Sequence, residues 1–252
     1  MNYKPGFIIP VYRHGSTIES VVQSLLAFNF PIIIIDDGND EDNKAKILEC
    51  VEKYPLVSLV SYSKNAGKGL AMSRGVKRAL ELGLTHVFQI DADGQHDVQA
   101  CKKFLEVSEN NPAALVSGYP EYDSSAPSAR RNGRKFSCLW VKIVSLNFTP
   151  KDALCGFRIY PLEPYARLLR HHALIHRRMG YDADILVHFL WQGVPVLNLP
   201  VKVSYPKDGI SNFRIVRDNL SISFTFTRLF FGMLLRLPKL IYFAAKRQKK
   251  SV

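Results

Sequence analysis

The chain has 252 residues, 47% apolar and 22% charged, a composition that excludes disorder and allows a sizeable buried core, as one large domain or one domain with an appendage. Its four cysteines, Cys50, Cys101, Cys138 and Cys155, are scattered with no CxxC pair, which argues against a zinc centre or disulfide framework and fits a reducing cytosol. The net charge of +12 is uneven: from Asn219 onward there are seven Lys or Arg and no Asp or Glu, leaving only +5 before that point.

In chain order, Gly6 to Pro10 reads as a buried strand. The apolar run after Lys4 is too short for a secretory h-region, so no leader is expected. Ser16 or Thr17 is expected to cap a helix whose Ile18, Val21, Val22, Leu25 and Leu26 have helical spacing. Ile32 to Ile35 is a continuous β-branched run, typical of a parallel strand covered on both faces, and it ends in Asp36-Asp37-Gly38. A helix over 41–54 turns Ala45, Ile47, Leu48 and Val51 inward, and 56–62 is the third strand. Asn65-Ala66-Gly67-Lys68-Gly69 opens a helix reaching Leu82, and 85–90 is the fourth strand. A helix over 98–109 and a strand over 114–117 complete a regular alternation. That pattern predicts an α/β fold with a mostly parallel sheet and helices on both faces.

Beyond Gly118 the pattern loosens. Residues 129–146 read as a helix with Arg130, Arg131, Arg134 and Lys135 near its start, where cations oppose the helix dipole. Residues 157–160 and 194–203 read as strands flanking a helix over 182–191. We expect a main domain over 1–214 and a basic, amphipathic tail over 215–252. In the tail, the longest uncharged run, Asn219 to Thr227, is nine residues. A spanning helix needs about 20. The alternation of Lys and Arg with Phe, Leu, Ile and Tyr favours one or two helices lying on an anionic membrane over a nucleic-acid partner.

Chemistry is expected at the carboxyl ends of the parallel strands, where ligands bind in open α/β sheets. The fourth strand ends in Asp91-Ala92-Asp93-Gly94, and two neighbouring carboxylates call for a counter-charge such as a hard divalent cation. Pro10-Val11-Tyr12, Asp36-Asp37-Gly38 and the glycine-flanked Lys68 follow the first three strands. A ring to pack a base, carboxylates for base and ribose, and a lysine plus a metal for a pyrophosphate suit a nucleotide diphosphate. Neither GxxxxGK[ST] nor GxGxxG after the first strand is present, which excludes a P-loop nucleotidase and a dinucleotide oxidoreductase by those criteria.

These residues resemble the family 2 glycosyltransferases of GT-A fold, most closely the dolichol-phosphate-mannose-synthase-like branch. The likeness covers about residues 6–213 and is carried by Ile8-Ile9-Pro10-Val11-Tyr12, Ile34-Ile35-Asp36-Asp37-Gly38, Asn65-Ala66-Gly67-Lys68-Gly69-Leu70-Ala71, Asp91-Ala92-Asp93-Gly94-Gln95-His96 and Cys155-Gly156-Phe157-Arg158. Arg13-His14 departs from it, because the branch usually has Asn-Glu there. The resemblance implies that Asp36 and Asp37 hold base and ribose and that Asp91, Asp93 and Gln95 surround Mg²⁺ or Mn²⁺. It implies that Arg158 and the Lys207-Asp208-Gly209-Ile210-Ser211 loop contact the diphosphate. Arg130, Arg134 and Ser137 would form a pocket for an acceptor phosphate. Tyr181-Asp182-Ala183-Asp184 resembles the family's acidic pair, so that Asp182 or Asp184 is the candidate base for a hydroxyl acceptor.

The expected activity is metal-dependent, inverting transfer of a sugar from a nucleotide-diphosphate sugar to a membrane lipid, either a polyprenyl phosphate or an acyl-lipid hydroxyl. The expected place is the cytoplasmic face of the cell membrane, held peripherally, with no nucleic-acid partner. Two other classes stay open: a nucleotidyltransferase, for which Tyr12-Arg13-His14-Gly15-Ser16 is a poor basic loop, and a non-catalytic membrane scaffold.

Overall fold

The apolar runs become strands of one seven-stranded sheet. The computed structural model describes residues 2–94, 99–121, 128–171, 173–202 and 215–248, with backbone only for 128–131 and 215–219. The first half alternates as β1 (Pro5–Val11), α1 (Gly15–Leu26), β2 (Ile32–Asp37), α2 (Glu41–Lys53), β3 (Val57–Tyr62), α3 (Lys68–Glu81), β4 (His86–Gln89), α4 (Ala100–Asn110) and β5 (Leu115–Glu121). The second half holds α5 (Ser128–Ser145), β6 (Arg158–Pro161), α6 (Leu162–Arg170), α7 (Tyr181–Trp191), β7 (Val196–Lys202), α8 (Ile215–Leu234) and α9 (Leu237–Gln248).

The strand order is β3-β2-β1-β4-β6-β5-β7. All neighbouring pairs are parallel except those of β6, which runs against both β4 and β5. The chain winds outward from β1 to β3, then restarts on the other side of β1 with β4. That reversal opens a crevice beyond the ends of β1 and β4, where α/β folds bind ligands.

Alternate residues of each strand feed two cores. Phe7, Ile9, Ile32, Ile34 and Phe88 pack with α1, α2 and α4 on one face. Ile8, Ile33, Ile35 and Val87 pack with α3, α5, α6, α7 and α8 on the other. Every residue of Ile32–Ile35 is buried, as expected for a strand covered on both faces.

Four local expectations are corrected. Among the described residues no side chain caps α1; the Thr17 hydroxyl instead faces the carbonyls of Ala92 and His14, tying α1 to the turn after β4. Ala45 and Leu48 of α2 are exposed, Leu48 by 40%, and Cys50 is buried beside Ile47 instead. The expectation for 157–191 lacked a helix between strand and α7, yet α6 forms there: Pro164 lies in its first turn, where the missing N–H costs nothing, and Leu162, Tyr165 and Leu168 face inward. Finally, the tail is core on one side. Phe226, Leu229 and Met233 of α8 and Leu240 of α9 join the core shared by α3 and α7. Its other side leaves Leu220, Phe224, Phe231, Leu235, Ile241 and Tyr242 exposed.

Among the described residues no single helix is long and apolar enough to cross a membrane; α8 from Leu220 and α9 would meet that length and composition only as a pair, bent by 84°.

Candidate active site

Strand register sets a polar row into an otherwise apolar sheet. Gln89 of β4 is paired with Arg158 of β6, and Arg158 with Ser117 of β5. All three are buried. A buried polar group needs partners, and here they link to one another: Arg158 Nε donates to Ser117 Oγ at 3.1 Å, and Tyr160 donates to Gln89 Oε1 at 3.2 Å. The first turn of α7 roofs this row. Asp182 accepts from Gln89 Nε2 at 3.1 Å through one carboxylate oxygen, while its backbone carbonyl accepts from Arg158 Nη1 at 2.5 Å. An acid in the first turn of a helix also suits the helix dipole.

Lys68 completes the centre. Its ammonium lies 2.8 Å from Asp91 Oδ1 and 3.0 Å from Asp182 Oδ2, with the side chain 23% exposed. Burial works against its charge, but Asp182 and Asp91 outweigh burial and hold its pKa above the usual lysine value. Lys68 is therefore a fixed cation at the mouth of the crevice. Gly156 makes room for it: a Cβ there would stand 2.5 Å from Asp91 Oδ2 and 2.8 Å from both Lys68 Nζ and Gln89 Nε2.

The turn that presents Lys68 is built by Asp37. Its carboxylate accepts from the backbone N–H groups of Ala66 (2.9 Å) and Gly67 (2.8 Å) and from the Asn65 side chain at 2.9 Å. Gly67 then takes φ +97° to start α3, a conformation open to glycine at little cost. Asp36 does a similar job one residue earlier, accepting from Asn39 N, Asn39 Nδ2 and Ser61 Oγ at 2.6–3.0 Å. Asn39 in turn binds the Val11 carbonyl and the Arg13 N–H, shaping the turn on which Tyr12 is carried.

The candidate residues thus separate. Pro10, Tyr12, Asp36, Asp37, Lys68 and Asp91 lie at the ends or in the turns of β1–β4, and Asp93 lies two residues past Asp91. Asp36 and Asp37, expected to meet base and ribose, are 1% and 3% exposed, and the bonds above commit them to their own loops. Arg158, expected at the diphosphate, is fully buried beneath Asp182, with its Nη2 lacking a partner among the described residues. Asp184, the alternative base, is also fully buried and points away: it pairs with Arg228 of α8 at 2.7 Å. Burial pushes its pKa up to about 6 in spite of Arg228. Arg134 forks onto Asp152 at 2.8 and 2.9 Å, and Asp152 also accepts from the N–H groups of Leu154 and Cys155, so the pair shapes the approach to Gly156; Ser137 is buried beside it on α5. Gln95, Lys207, Ser211 and the Arg130 side chain lie outside the described residues.

For a hard cation, the described residues offer carboxylates at 91 and 93 but no cluster of three His, Cys, Asp or Glu, and Lys68 already holds one oxygen of Asp91. The donor chemistry fits Mg²⁺ or Mn²⁺ in type, with oxygens.

Sequence reasoning missed Gln89, Ser117, Tyr160, the 174–178 segment and Arg228. Only Gln89 carried a signal: an amide inside the apolar run Val87-Phe88-Gln89-Ile90 must find a buried partner.

Comparison with known proteins gives this arrangement its kin. The chain is 25% identical over 217 residues to a dolichyl-phosphate beta-glucosyltransferase of Trichomonas vaginalis, covering 78% of this chain and 62% of that one. It is 32% identical over 124 residues to the UDP-N-acetylglucosamine–dolichyl-phosphate N-acetylglucosaminyltransferase of Methanococcus voltae, covering 44% and 49%. The chain thus spans roughly half to two thirds of the length of these relatives. A crystal structure of glucosyl-3-phosphoglycerate synthase from Mycobacterium tuberculosis with Mn²⁺, UDP-glucose and phosphoglyceric acid superposes with a TM-score of 0.65 at 14% identity, over 93% of this chain and 79% of that one, a likeness of fold. The model of the family described as Glycosyl transferase family 2 matches residues 7–177, which take in most of the sheet with Lys68, Asp91 and Arg158 but stop short of Asp182, and this chain belongs to that family as a glycosyltransferase.

Proposed function

We propose that the chain transfers a sugar from a nucleotide-diphosphate sugar to a lipid phosphate at a membrane surface, with inversion at the sugar carbon. The observation that carries this reading is Lys68, held as a cation between Asp91 and Asp182 at the strand tips. Fixed positive charge aimed at a departing diphosphate acts without reorganisation, the strongest device available to such a site. Asp91 and Asp93, with Gln95, would hold Mg²⁺ or Mn²⁺, which when bound neutralises charge on the leaving diphosphate. The Mn²⁺ in the mycobacterial synthase supports that choice.

The acids favour a phosphate acceptor over a hydroxyl. A hydroxyl needs a base, but Asp184 is turned into the core and Asp182 is already paired with Lys68 and Gln89. A lipid phosphate is ionised at neutral pH and needs none. The dolichyl-phosphate acceptors named in the two relatives agree with it. A hydroxyl acceptor, with Asp182 freed from Lys68 to serve as base, is the second reading.

The bilayer would be met by the outer faces of α8 and α9, where Phe224 (72% exposed) and Leu235 (85%) stand among Arg236, Lys239 and Lys246. Each cation near an anionic surface adds about 1 kcal/mol. We place the chain peripherally on the cytoplasmic face of the cell membrane.

A panel of nucleotide sugars incubated with a total membrane-lipid extract and Mn²⁺ tests the reading. The expected products are a nucleoside diphosphate and a glycolipid whose sugar is released by mild acid, as a glycosyl phosphate is. An acid-stable glycoside would move the acceptor to a hydroxyl. Release of pyrophosphate would make the chain a nucleotidyltransferase, and no turnover with any donor would leave a scaffold.

A further inference from the structure

The far side of α7 joins the tail to the lysine turn. Asp184 Oδ2 accepts from Arg228 Nη2 at 2.7 Å and from the backbone N–H of His176 at 2.5 Å. Arg228 also donates through Nη1 to the carbonyl of Leu174, and Ser221 bonds His176 Nε2 at 2.8 Å. Two side chains of α8 thereby grip the 174–178 segment. That segment is in turn pressed onto the turn carrying Lys68. The Arg177 carbonyl accepts from the Gly69 N–H at 2.8 Å, and Arg178 Nη1 donates to Asn65 Oδ1 at 2.9 Å. Gly67 and Gly69 lie so close to the carbonyls of Arg177 and His176 that neither has space for a Cβ. Lys68 sits between those two glycines.

Holding α8 in place does not require this polar cluster. Phe226, Leu229 and Met233 already bury its inner face, while Asp184 is fully buried and, among the described residues, its Oδ1 has no hydrogen-bond partner, only the His188 ring at 3.6 Å. A buried ion pair is an expensive way to dock a helix that apolar packing would dock as well, and its best-attested use is to fix register. The register at stake here is that of the 174–178 segment on the lysine turn.

We propose that Arg228 and Ser221 are positioning residues for sugar transfer: through Asp184 and His176 they set the segment against which the Gly67–Lys68–Gly69 turn closes, so that α8 governs where the Lys68 ammonium stands. This deepens the transferase reading and rests on it for the activity arm alone. Because the same helix bears the exposed Phe224 and Phe231, displacement of α8 at a surface is transmitted to the donor site.

Hydrogen exchange on the full chain tests the link without any substrate. Arg228→Lys keeps the charge and loses the two-armed fork; Ser221→Ala loses the hydroxyl, and Ser221→Thr keeps it. Arg228→Lys and Ser221→Ala are expected to speed exchange about tenfold in peptides covering both 174–180 and 64–70, with β1 and β2 unchanged and Ser221→Thr like wild type. Faster exchange at 174–180 with 64–70 unchanged would overturn the proposal, as would faster exchange everywhere, which marks a merely structural role. In transfer assays kcat is expected to fall about tenfold with the lipid KM unaltered, since orientation rather than binding is lost. If the wild-type chain transfers no sugar, the functional reading fails, while the exchange result still decides the link.

Discussion

The half of the molecule that runs from β1 to β4 and the half that closes over it, from β5 to α9, solve the same problem by different means. In the first half, the two acids at the tip of β2 are satisfied by neighbours in sequence or by the adjacent strand: Asp36 by Asn39 and Ser61, Asp37 by the 65–67 turn. Where the second half closes over it, the partners are far apart in sequence: Lys68 and Gln89 each reach Asp182 across the two halves, and Asp184 pairs with Arg228 within the second. Asp182 and Asp184 show the consequence most sharply. Two residues apart on α7, they point to opposite sides, one to the crevice and one to the tail helix. The first half builds a cradle, and the second half supplies what makes it act.

Removing the charge that spans both halves should do the most damage. Lys68→Met is expected to lower transfer about 10²–10³-fold, the usual loss for one preorganised electrostatic group, with secondary structure retained. Circular dichroism beside a turnover assay checks both parts, and near-normal turnover would mean that the two halves do not meet at this lysine. Gly156→Ala is a milder intrusion at the same seam. Its methyl would displace Asp91, Gln89 or Lys68, and we expect a loss of about 10²-fold, as for a misplacement of about 1 Å, visible in kcat more than in donor KM.

Acid sensitivity separates the halves further. Burial first, then Arg228, pushes the His188 pKa down to about 4, while burial pushes that of Asp184 up to about 6. Between pH 4 and 6 the folded chain holds a proton on Asp184 that the unfolded chain releases, so this group's contribution to stability falls as pH rises. Over about the same window the unfolded chain protonates His188 and the folded chain does not, so that contribution rises with pH. The two oppose each other in the native protein. His188→Gln removes one of them, and its stability from denaturant midpoints is expected to fall from pH 4 to 6 relative to wild type. A parallel pair of curves would remove His188 from the balance. The smallest effect is expected at the outer surface. Phe224→Ser with Phe231→Ser should reduce flotation with anionic vesicles and leave thermal stability within about 0.5 kcal/mol, because both side chains are exposed.

What the linear chain determined was everything carried by period and by neighbours. Four apolar runs with acidic or glycine-rich ends implied a parallel sheet whose strand tips carry Asp36, Asp37, Lys68 and Asp91, because burial on two faces leaves a legible run and a turn leaves legible residues. Tertiary structure alone decided which partner each polar group found. Nothing in the spacing of Asp182 and Asp184 says that one faces Lys68 and the other Arg228, since that depends on how α7 is rolled between the sheet and α8. Nor could composition divide the tail into a face that belongs to the core and a face left outside, for both are built from the same leucines and phenylalanines. Hydrophobic patterning states that a surface will be covered; only the packed chain states by what.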